Sequence, residues 1–131
     1  MDYTTLLQNP WKKQSKVGII GATRGYGYTL LARSLDGTLP RFTDRARAGT
    51  IDAKELTVYY SDQCPYMANS LDMIHQVCGE LGVPCSLVKV DTLEQAKSLP
   101  CVFNNCAVFY GGAFQTVNLP DAAYLRRLLK R

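Results

Sequence analysis

Cys64 is the residue of this chain whose position is best suited to chemistry. It follows the polar loop Ser61–Gln63 and precedes Pro65. The alternation within Leu56–Tyr60 predicts a strand before the loop, and Pro65 suits the first position of a helix, because its missing N–H would have no partner there. Free N–H groups and the helix dipole favour a thiolate at such a position, so the spacing predicts a nucleophilic thiol. The core face predicted for this helix consists of Met67, Leu71, Ile74, Cys78 and Leu81.

The composition limits the classes of protein to consider. The 131 residues suffice for one ordinary domain, or for a small domain with an appendage. No apolar run approaches the ~18 residues that a membrane helix needs, and the first residues show no signal-peptide pattern. The five cysteines are an odd number, which favours reduced thiols and a cytoplasmic protein over a disulfide framework. Two of them, Cys78 and Cys85, are interpreted as small buried hydrophobic residues.

The positive charge of the chain is concentrated in its first part. Residues 1–50 contain eight Lys and Arg against three Asp and Glu, whereas residues 51–131 contain seven against eight. Nucleic-acid binding would require basic residues on one face together with stacking aromatic residues, and the sequence shows no such pattern. We therefore predict neither a nucleic-acid nor a membrane partner.

A glycine-rich stretch covers residues 21–27, directly after the predicted strand Val17–Ile20. It resembles two cofactor loops, namely the dinucleotide-binding turn of short-chain dehydrogenases and the acetyl-CoA loop of GNAT acetyltransferases. In either case the cofactor-binding residues would be Arg24, Gly25 and Gly27. A Gly- and Pro-containing stretch downstream interrupts the βαβ unit that a dinucleotide site requires. The third interpretation is a turn between two strands, in which the glycines serve only the backbone.

The next residues lead towards the strand before Cys64. Tyr28–Leu35 is apolar enough to form a strand or a short helix. The residues that follow are mostly polar, which predicts a linker with one helical turn at Thr43–Ala48. We place a domain boundary within residues 36–52.

Turn and cap signals predict the elements after the Cys64 helix. Gly111 and Gly112 join two hairpin strands, since both can supply the positive φ of a type I′ turn. From residue 55 onward the predicted order is therefore β-α-β-α-β-β-α. The elements are a strand at Ser86–Val90, a helix with a capping box at Asp91–Glu94 that runs to Ser98, hairpin strands at Asn105–Tyr110 and Ala113–Val117, and a helix after Asp121.

This order of elements is that of the thioredoxin fold, an α/β sheet with helices on both faces. Within it, Cys64-Pro65-Tyr66 resembles the glutaredoxin motif Cys-Pro-Tyr-Cys, with Met67 in place of the second cysteine. The chain is more similar to the YoaP-like domain, a thioredoxin-like module that follows a GNAT acetyltransferase domain in bacterial and archaeal proteins. The matching segments are Pro40–Phe42, Ala46–Gly49, Val58–Tyr66 and Val108–Phe114.

The resemblance implies three parts: an acetyltransferase remnant in residues 1–36, a linker in 37–52 and a YoaP-like thioredoxin-fold domain in 53–131. The acetyl-CoA site would lie in the absent part of the acetyltransferase domain, so the chain by itself should not transfer acetyl groups, and acetyl-CoA is expected only in the parent family. The chain would be a fragment, a truncated gene product or a stand-alone descendant. Its expected partners are the missing acetyltransferase domain, or a second copy paired through the edges of the N-terminal strands.

The leading prediction is therefore an accessory or binding module. Its groove would be formed by the Cys64 loop, the segment near Asn104 and neighbouring tyrosines. We predict no cofactor and no metal site, because Cys101, Cys106 and His75 lack the close spacing of zinc ligands. The predicted groove residues are Tyr59, Asp62, Gln63, Cys64, Pro65, Tyr66 and Asn104.

The alternative prediction is a monothiol glutaredoxin-like oxidoreductase, with Cys64 as the catalytic nucleophile and glutathione as the resolving thiol. Met67 excludes a dithiol cycle within the loop. The resemblance to the thioredoxin fold puts Asn104 near the place of a proline that usually lies beside the active cysteine. No lysine flanks Cys64 in the sequence, and the carboxylate of Asp62 would raise the thiol pKa.

Overall fold

The computed structural model describes residues 17–22, 29–33 and 43–130 of the chain. The chain divides into two compact units, Met1–Thr43 and Asp44–Arg131. The division into remnant, linker and domain that the sequence suggests stays a prediction.

The first unit contains a pair of strands. Strand β1 (Val17–Ala22) pairs antiparallel with strand β2 (Thr29–Arg33). The register shifts between Ile20 and Ala22, where the ladder is irregular. The predicted strand at residues 17–20 is thus present and longer, and the predicted strand-or-helix at 28–35 contains a strand.

The second unit is a mixed α/β fold. Its elements are helix α1 (Asp44–Ala48), strand β3 (Leu56–Tyr60), helix α2 (Met67–Leu81), strand β4 (Cys85–Lys89), helix α3 (Leu93–Ser98), strands β5 (Cys106–Tyr110) and β6 (Ala113–Thr116), and helix α4 (Ala122–Leu129). The four strands lie in the order β4-β3-β5-β6. Strand β3 runs parallel to β4 and antiparallel to β5, and β6 runs antiparallel to β5. The predicted α/β class and the predicted order of elements after residue 55 are confirmed.

The sheet buries different side chains on its two faces. Val58 and Val108 face a core cluster that includes buried residues of α2 and α4. Phe109 faces the opposite cluster, which includes Leu99, with Ala96 of α3 packed against it. Helices therefore cover both faces, because a strand with apolar residues on both sides must be screened from water twice.

Helix α2 begins later than the sequence predicts. Its first helical residue is Met67 and its N-cap is Tyr66, whereas the prediction placed Pro65 at the first helical position. A tight turn precedes the helix, because the Met67 N–H donates to the Cys64 carbonyl (3.1 Å), and the Ser70 N–H donates to the Tyr66 carbonyl (3.1 Å). Cys64 therefore lies one turn ahead of the helix.

The rest of α2 follows its predicted pattern closely. Met67, Ile74 and Cys78 are buried as expected, and Val77 is a fourth buried residue that the predicted spacing omitted. At the C-terminus, Gly82 adopts a left-handed conformation with φ of 64°, which ends the helix without steric cost.

The cap of α3 is shifted by one residue from its predicted place. The N-cap is Thr92, whose hydroxyl accepts from the Gln95 N–H (3.2 Å), while the Gln95 side chain accepts from the Thr92 N–H (3.1 Å). The prediction assigned these roles to Asp91 and Glu94. It was wrong because both pairs satisfy the same capping-box pattern, three residues apart.

The residues between α1 and β3 run along the hairpin of β5 and β6. The Phe114 N–H donates to the Gly49 carbonyl (2.9 Å), and the Ile51 N–H donates to the Gly112 carbonyl (2.9 Å). An isolated bridge joins the same two segments. These bonds occupy backbone groups on the outer side of β6, the last strand of the sheet. Helix α1 lies where the sequence predicts a helical turn.

Gly112 is expected to tolerate alanine worse than its neighbour Gly111. Both have positive φ, 63° at Gly111 and 81° at Gly112, as the predicted hairpin turn requires. A Cβ at Gly112 would meet the Ile51 carbonyl at 2.9 Å and the Lys54 side chain, whereas a Cβ at Gly111 would meet no atom within 4 Å. We expect Gly112→Ala to lower the free energy of unfolding by about 2–4 kcal/mol and Gly111→Ala by about 1–2 kcal/mol. Urea unfolding of the two variants measures the difference, and equal losses would contradict the close approach.

Candidate functional site

The loop after β3 brings together most of the residues predicted for the groove. Ser61 is buried, and its N–H donates to the Asn105 carbonyl (3.0 Å), so the segment that contains Asn104 lies beside the loop. Cys64 is half-buried against the cluster between the sheet and α2. Tyr66 is 69% exposed. The structure therefore presents a half-exposed thiol and an exposed phenol ring at the carboxyl end of β3.

Asp62 in this loop is held by a lysine from the neighbouring strand. The Lys89 Nζ lies 2.7 Å from the Asp62 carboxylate and 3.3 Å from that of Asp91. The hydrogen bond to Asp62, followed by the one to Asp91, raises the pKa of Lys89. The positive charge of Lys89 thus lies beside the carboxylate of Asp62, which precedes Cys64 by two residues in the sequence. Sequence reasoning missed Lys89 because it searched only the flanks of Cys64, although carboxyl ends of adjacent parallel strands meet at one sheet edge.

A second cysteine lies beneath the loop. Cys106 is fully buried, stands opposite Tyr60 in the ladder and belongs to the cluster that Cys64 packs against. Burial, and secondarily the charge of Cys64, raise the pKa of Cys106 to about 12. Burial, and then the charge of Cys106, raise the pKa of Cys101 to about 12 as well. Cys106 and Cys101 are therefore neutral thiols at neutral pH.

Tyr59 is separated from the rest of the predicted groove. Its ring packs edge-to-face on Phe109, with ring centroids 5.8 Å apart, on the face of the sheet opposite Cys64. The structure therefore places Tyr59 outside the predicted groove, because side chains of successive strand residues point to opposite faces. Gln63 and Pro65 are exposed in the loop, and the groove itself stays a prediction.

A cavity of about 530 Å³ opens on the Tyr59 face. Arg45 lies at this cavity, and its Nε donates to the Ser98 carbonyl. Burial raises the pKa of Tyr59, and the charge of Cys101 adds to it, while the charge of Arg45 opposes both. The cavity thus combines the guanidinium of Arg45, the carboxylate of Asp52 and the phenol of Tyr59 with apolar surface. Its lining residues are Arg45, Ala48, Thr50, Ile51, Asp52, Ala53, Tyr59, Ser98, Leu99 and Pro100.

Sequence reasoning missed this cavity because half of its wall was interpreted as linker. The residues from Arg45 to Ala53 carry no local signal for a binding site. They reach the cavity through bonds between distant parts of the chain, such as that from the Gly49 N–H to the Pro100 carbonyl (2.8 Å).

The glycine-rich stretch is not part of this surface. Arg24, Gly25 and Gly27 lie outside the residues that the structure describes. Cofactor binding there stays a prediction. In the described ranges, no group of three or more His, Cys, Asp or Glu residues is arranged to hold a metal ion.

Comparison with known proteins points to one family. Residues 84–127, from the start of β4 to α4, match the model of the YoaP-like family. The chain is also 24% identical over 104 residues to the uncharacterized N-acetyltransferase YoaP of Bacillus subtilis (strain 168). That alignment covers 78% of this chain but 41% of the relative's length. No solved structure matches the chain significantly.

The matched segment contains Lys89, Asn104 and strands β4, β5 and β6, but neither β3 nor the Cys64 loop. Among the described residues, no helix has the length and apolarity needed to cross a membrane. The YoaP-like resemblance inferred from the sequence motifs is thus confirmed by an independent family match and by similarity to a YoaP protein.

Proposed function

We propose that the second unit is an accessory ligand-binding module of an acetyltransferase-type protein, without acetyltransferase activity by itself. The name of the Bacillus subtilis relative and the YoaP-like match support the acetyltransferase context. The order and directions of the four strands are consistent with the thioredoxin-like module that the resemblance implies. The observation that carries the binding role is the cavity beside Tyr59, whose volume of about 530 Å³ is in the range of small-molecule sites.

The lining of the cavity favours a small ligand with a carboxylate and an apolar body. Arg45 lines the cavity, and a guanidinium can make a bidentate contact with an acid group. The Tyr59 hydroxyl adds a donor at the same wall. Ile51, Leu99 and Pro100 provide apolar surface for the remainder of such a ligand. The ligand class is therefore a monocarboxylate with an aliphatic or aromatic body.

Phenylacetate is expected to bind the protein at least about tenfold more tightly than phenylacetamide, which has the same shape without the charge. Replacing Arg45 by Gln should abolish that difference, because the charge-assisted contact is lost. Arg47→Gln is the matched control, since Arg47 is exposed on the same helix and does not line the cavity. NMR titration of the three proteins measures the affinities. Equal affinity for both compounds in the wild-type protein would exclude the proposed ligand class.

A separate assay tests the lack of acetyl transfer. The full chain incubated with acetyl-CoA and a mixture of primary amines should release no coenzyme A above the buffer rate. Turnover by the chain alone would contradict the accessory role.

The half-exposed thiol of Cys64 favours a second candidate, a monothiol oxidoreductase. In this reaction the Cys64 thiolate attacks a glutathione mixed disulfide, forms a bond to the glutathione sulfur and releases the substrate thiol. A second glutathione then attacks this bond and leaves as glutathione disulfide, which regenerates Cys64. Turnover that is lost in Cys64→Ser and retained in Cys85→Ser would establish this candidate. Absence of turnover in the wild-type protein would exclude it.

A further inference from the structure

The far end of α2 from Cys64 carries a second group of reactive side chains. His75 and Cys78 lie one turn apart on the helix. Gly82 ends the helix, and the Val83 N–H donates to the Cys78 carbonyl (3.0 Å), so the chain folds back over the last turn. Cys85, the first residue of β4, is thereby brought to the side of the helix that carries His75 and Cys78.

The contacts within this group link a base and two thiols. The Cys85 Sγ lies 3.8 Å from the His75 Nδ1. Cys85 also packs against the core cluster that contains Cys78. Cys85 is half-buried and His75 is exposed, whereas Cys78 is 2% exposed. One thiol is therefore reachable from solvent beside an imidazole, and the other is shielded directly behind it.

We propose that Cys78 and Cys85 form a reversible disulfide by exchange with small-molecule disulfides such as oxidised glutathione. Cys85 is the attacking thiol, and His75 accepts its proton. This site is independent of the cavity beside Tyr59 and of Cys64.

The exchange proceeds in two balanced steps. The Cys85 sulfur bonds to one sulfur of the small disulfide, whose S–S bond breaks, and the thiolate that leaves takes the proton from His75. The Cys78 sulfur then attacks the Cys85 sulfur, the mixed disulfide breaks, and the second leaving thiolate takes the Cys78 proton. Two protein thiols and one small disulfide thus give one protein disulfide and two small thiols.

The order of attack follows from burial and charge. Burial, and then the neighbouring Cys85, raise the pKa of Cys78 to about 12, so Cys78 is the poorer initial nucleophile. Its role is to resolve the mixed disulfide, for which proximity compensates low ionisation.

Digestion with a Glu-specific protease tests the proposal, because Glu80 separates the two cysteines in the sequence. After treatment of the full chain with oxidised glutathione and alkylation of the remaining thiols, mass spectrometry should find the peptides of Cys78 and Cys85 joined by a disulfide. The linkage should persist in Cys64→Ser. A linkage that joins Cys64 to Cys106 instead, or no linkage at all, would overturn the proposal.

Two variants separate the roles of the residues. In Cys78→Ala, Cys85 should accumulate one bound glutathione, because the resolving thiol is absent. In His75→Gln, which alters an exposed position, the disulfide should form about tenfold more slowly, since the base is removed. An unchanged rate in His75→Gln would remove the base from the proposal, and glutathione on Cys78 rather than Cys85 would reverse the order of attack.

Discussion

Replacing Phe109 with alanine is expected to lower the free energy of unfolding by about 3–5 kcal/mol. Phe109 is fully buried in β5, and its ring packs edge-to-face against Tyr59 (5.8 Å between centroids) and Phe114 (5.5 Å). Its loss leaves a cavity that the surrounding strands can fill only in part. Urea unfolding followed by circular dichroism measures the change.

Leu93→Ala is the matched control for this prediction. Leu93 is also a large apolar residue, but it is 63% exposed on α3. Its replacement should change stability by no more than about 0.5 kcal/mol. If Phe109→Ala were as mild as Leu93→Ala, the core cluster that contains Phe109 and Leu99 would contribute less to stability than its burial indicates.

At pH 8, iodoacetamide is expected to modify Cys64 at least about a hundredfold faster than Cys106 in the folded protein. Burial raises the pKa of Cys106 to about 12, so about one Cys106 thiol in ten thousand is ionised at that pH. The Cys106 side chain is also fully buried, whereas that of Cys64 is half-exposed. Peptide mass spectrometry at a series of reaction times gives the two rates.

The same reaction in urea supplies the control for the thiol measurement. Unfolding removes the burial that suppresses Cys106, and the two rates should then agree within a few-fold. Rapid labelling of Cys106 in the folded protein would show that the loop above it opens, and would remove the shielding on which the prediction depends.

Features that depend on neighbouring residues could be predicted from the sequence. The hairpin turn is one case, since Gly111 and Gly112 both have the positive φ that two adjacent glycines between apolar strands indicate. The Asp121 cap of α4 is another, because its side chain accepts from the Tyr124 N–H (2.7 Å) a few residues away. Local chemistry determines such features wherever the segment lies in the fold.

The boundaries of helices were less predictable. Asp91 and Thr92 are both good cap residues, and the sequence alone does not choose between them. The start of α2 depends on the turn from Cys64 to Met67. Proline is compatible both with the first position of a helix and with a turn two residues ahead of it. Pro65 therefore does not determine which residue begins the helix.

Contacts between distant segments could not be read from periodicity. Leu56–Tyr60 is apolar on both sides, and the buried Thr57 shows that neither face is open to water. The alternation therefore predicts that Tyr59 and Tyr60 lie on opposite faces of the sheet, but it does not show which of these faces Cys64 packs against. The pairing of Lys89 with Asp62 and the approach of Arg45 to Ser98 likewise require the sheet order.

The segment between α1 and β3 has a consequence for the behaviour of the protein in solution. An uncovered edge strand is a template on which strands of other molecules can add, and this is a common route to aggregation. Gly49 and Ile51 occupy part of the outer backbone of the β5–β6 hairpin from within the same chain. The segment that the sequence indicates as a linker thus protects the hairpin edge from pairing with strands of other molecules. A shortened protein that begins at residue 53 would lack Gly49 and Ile51 and would lose that protection.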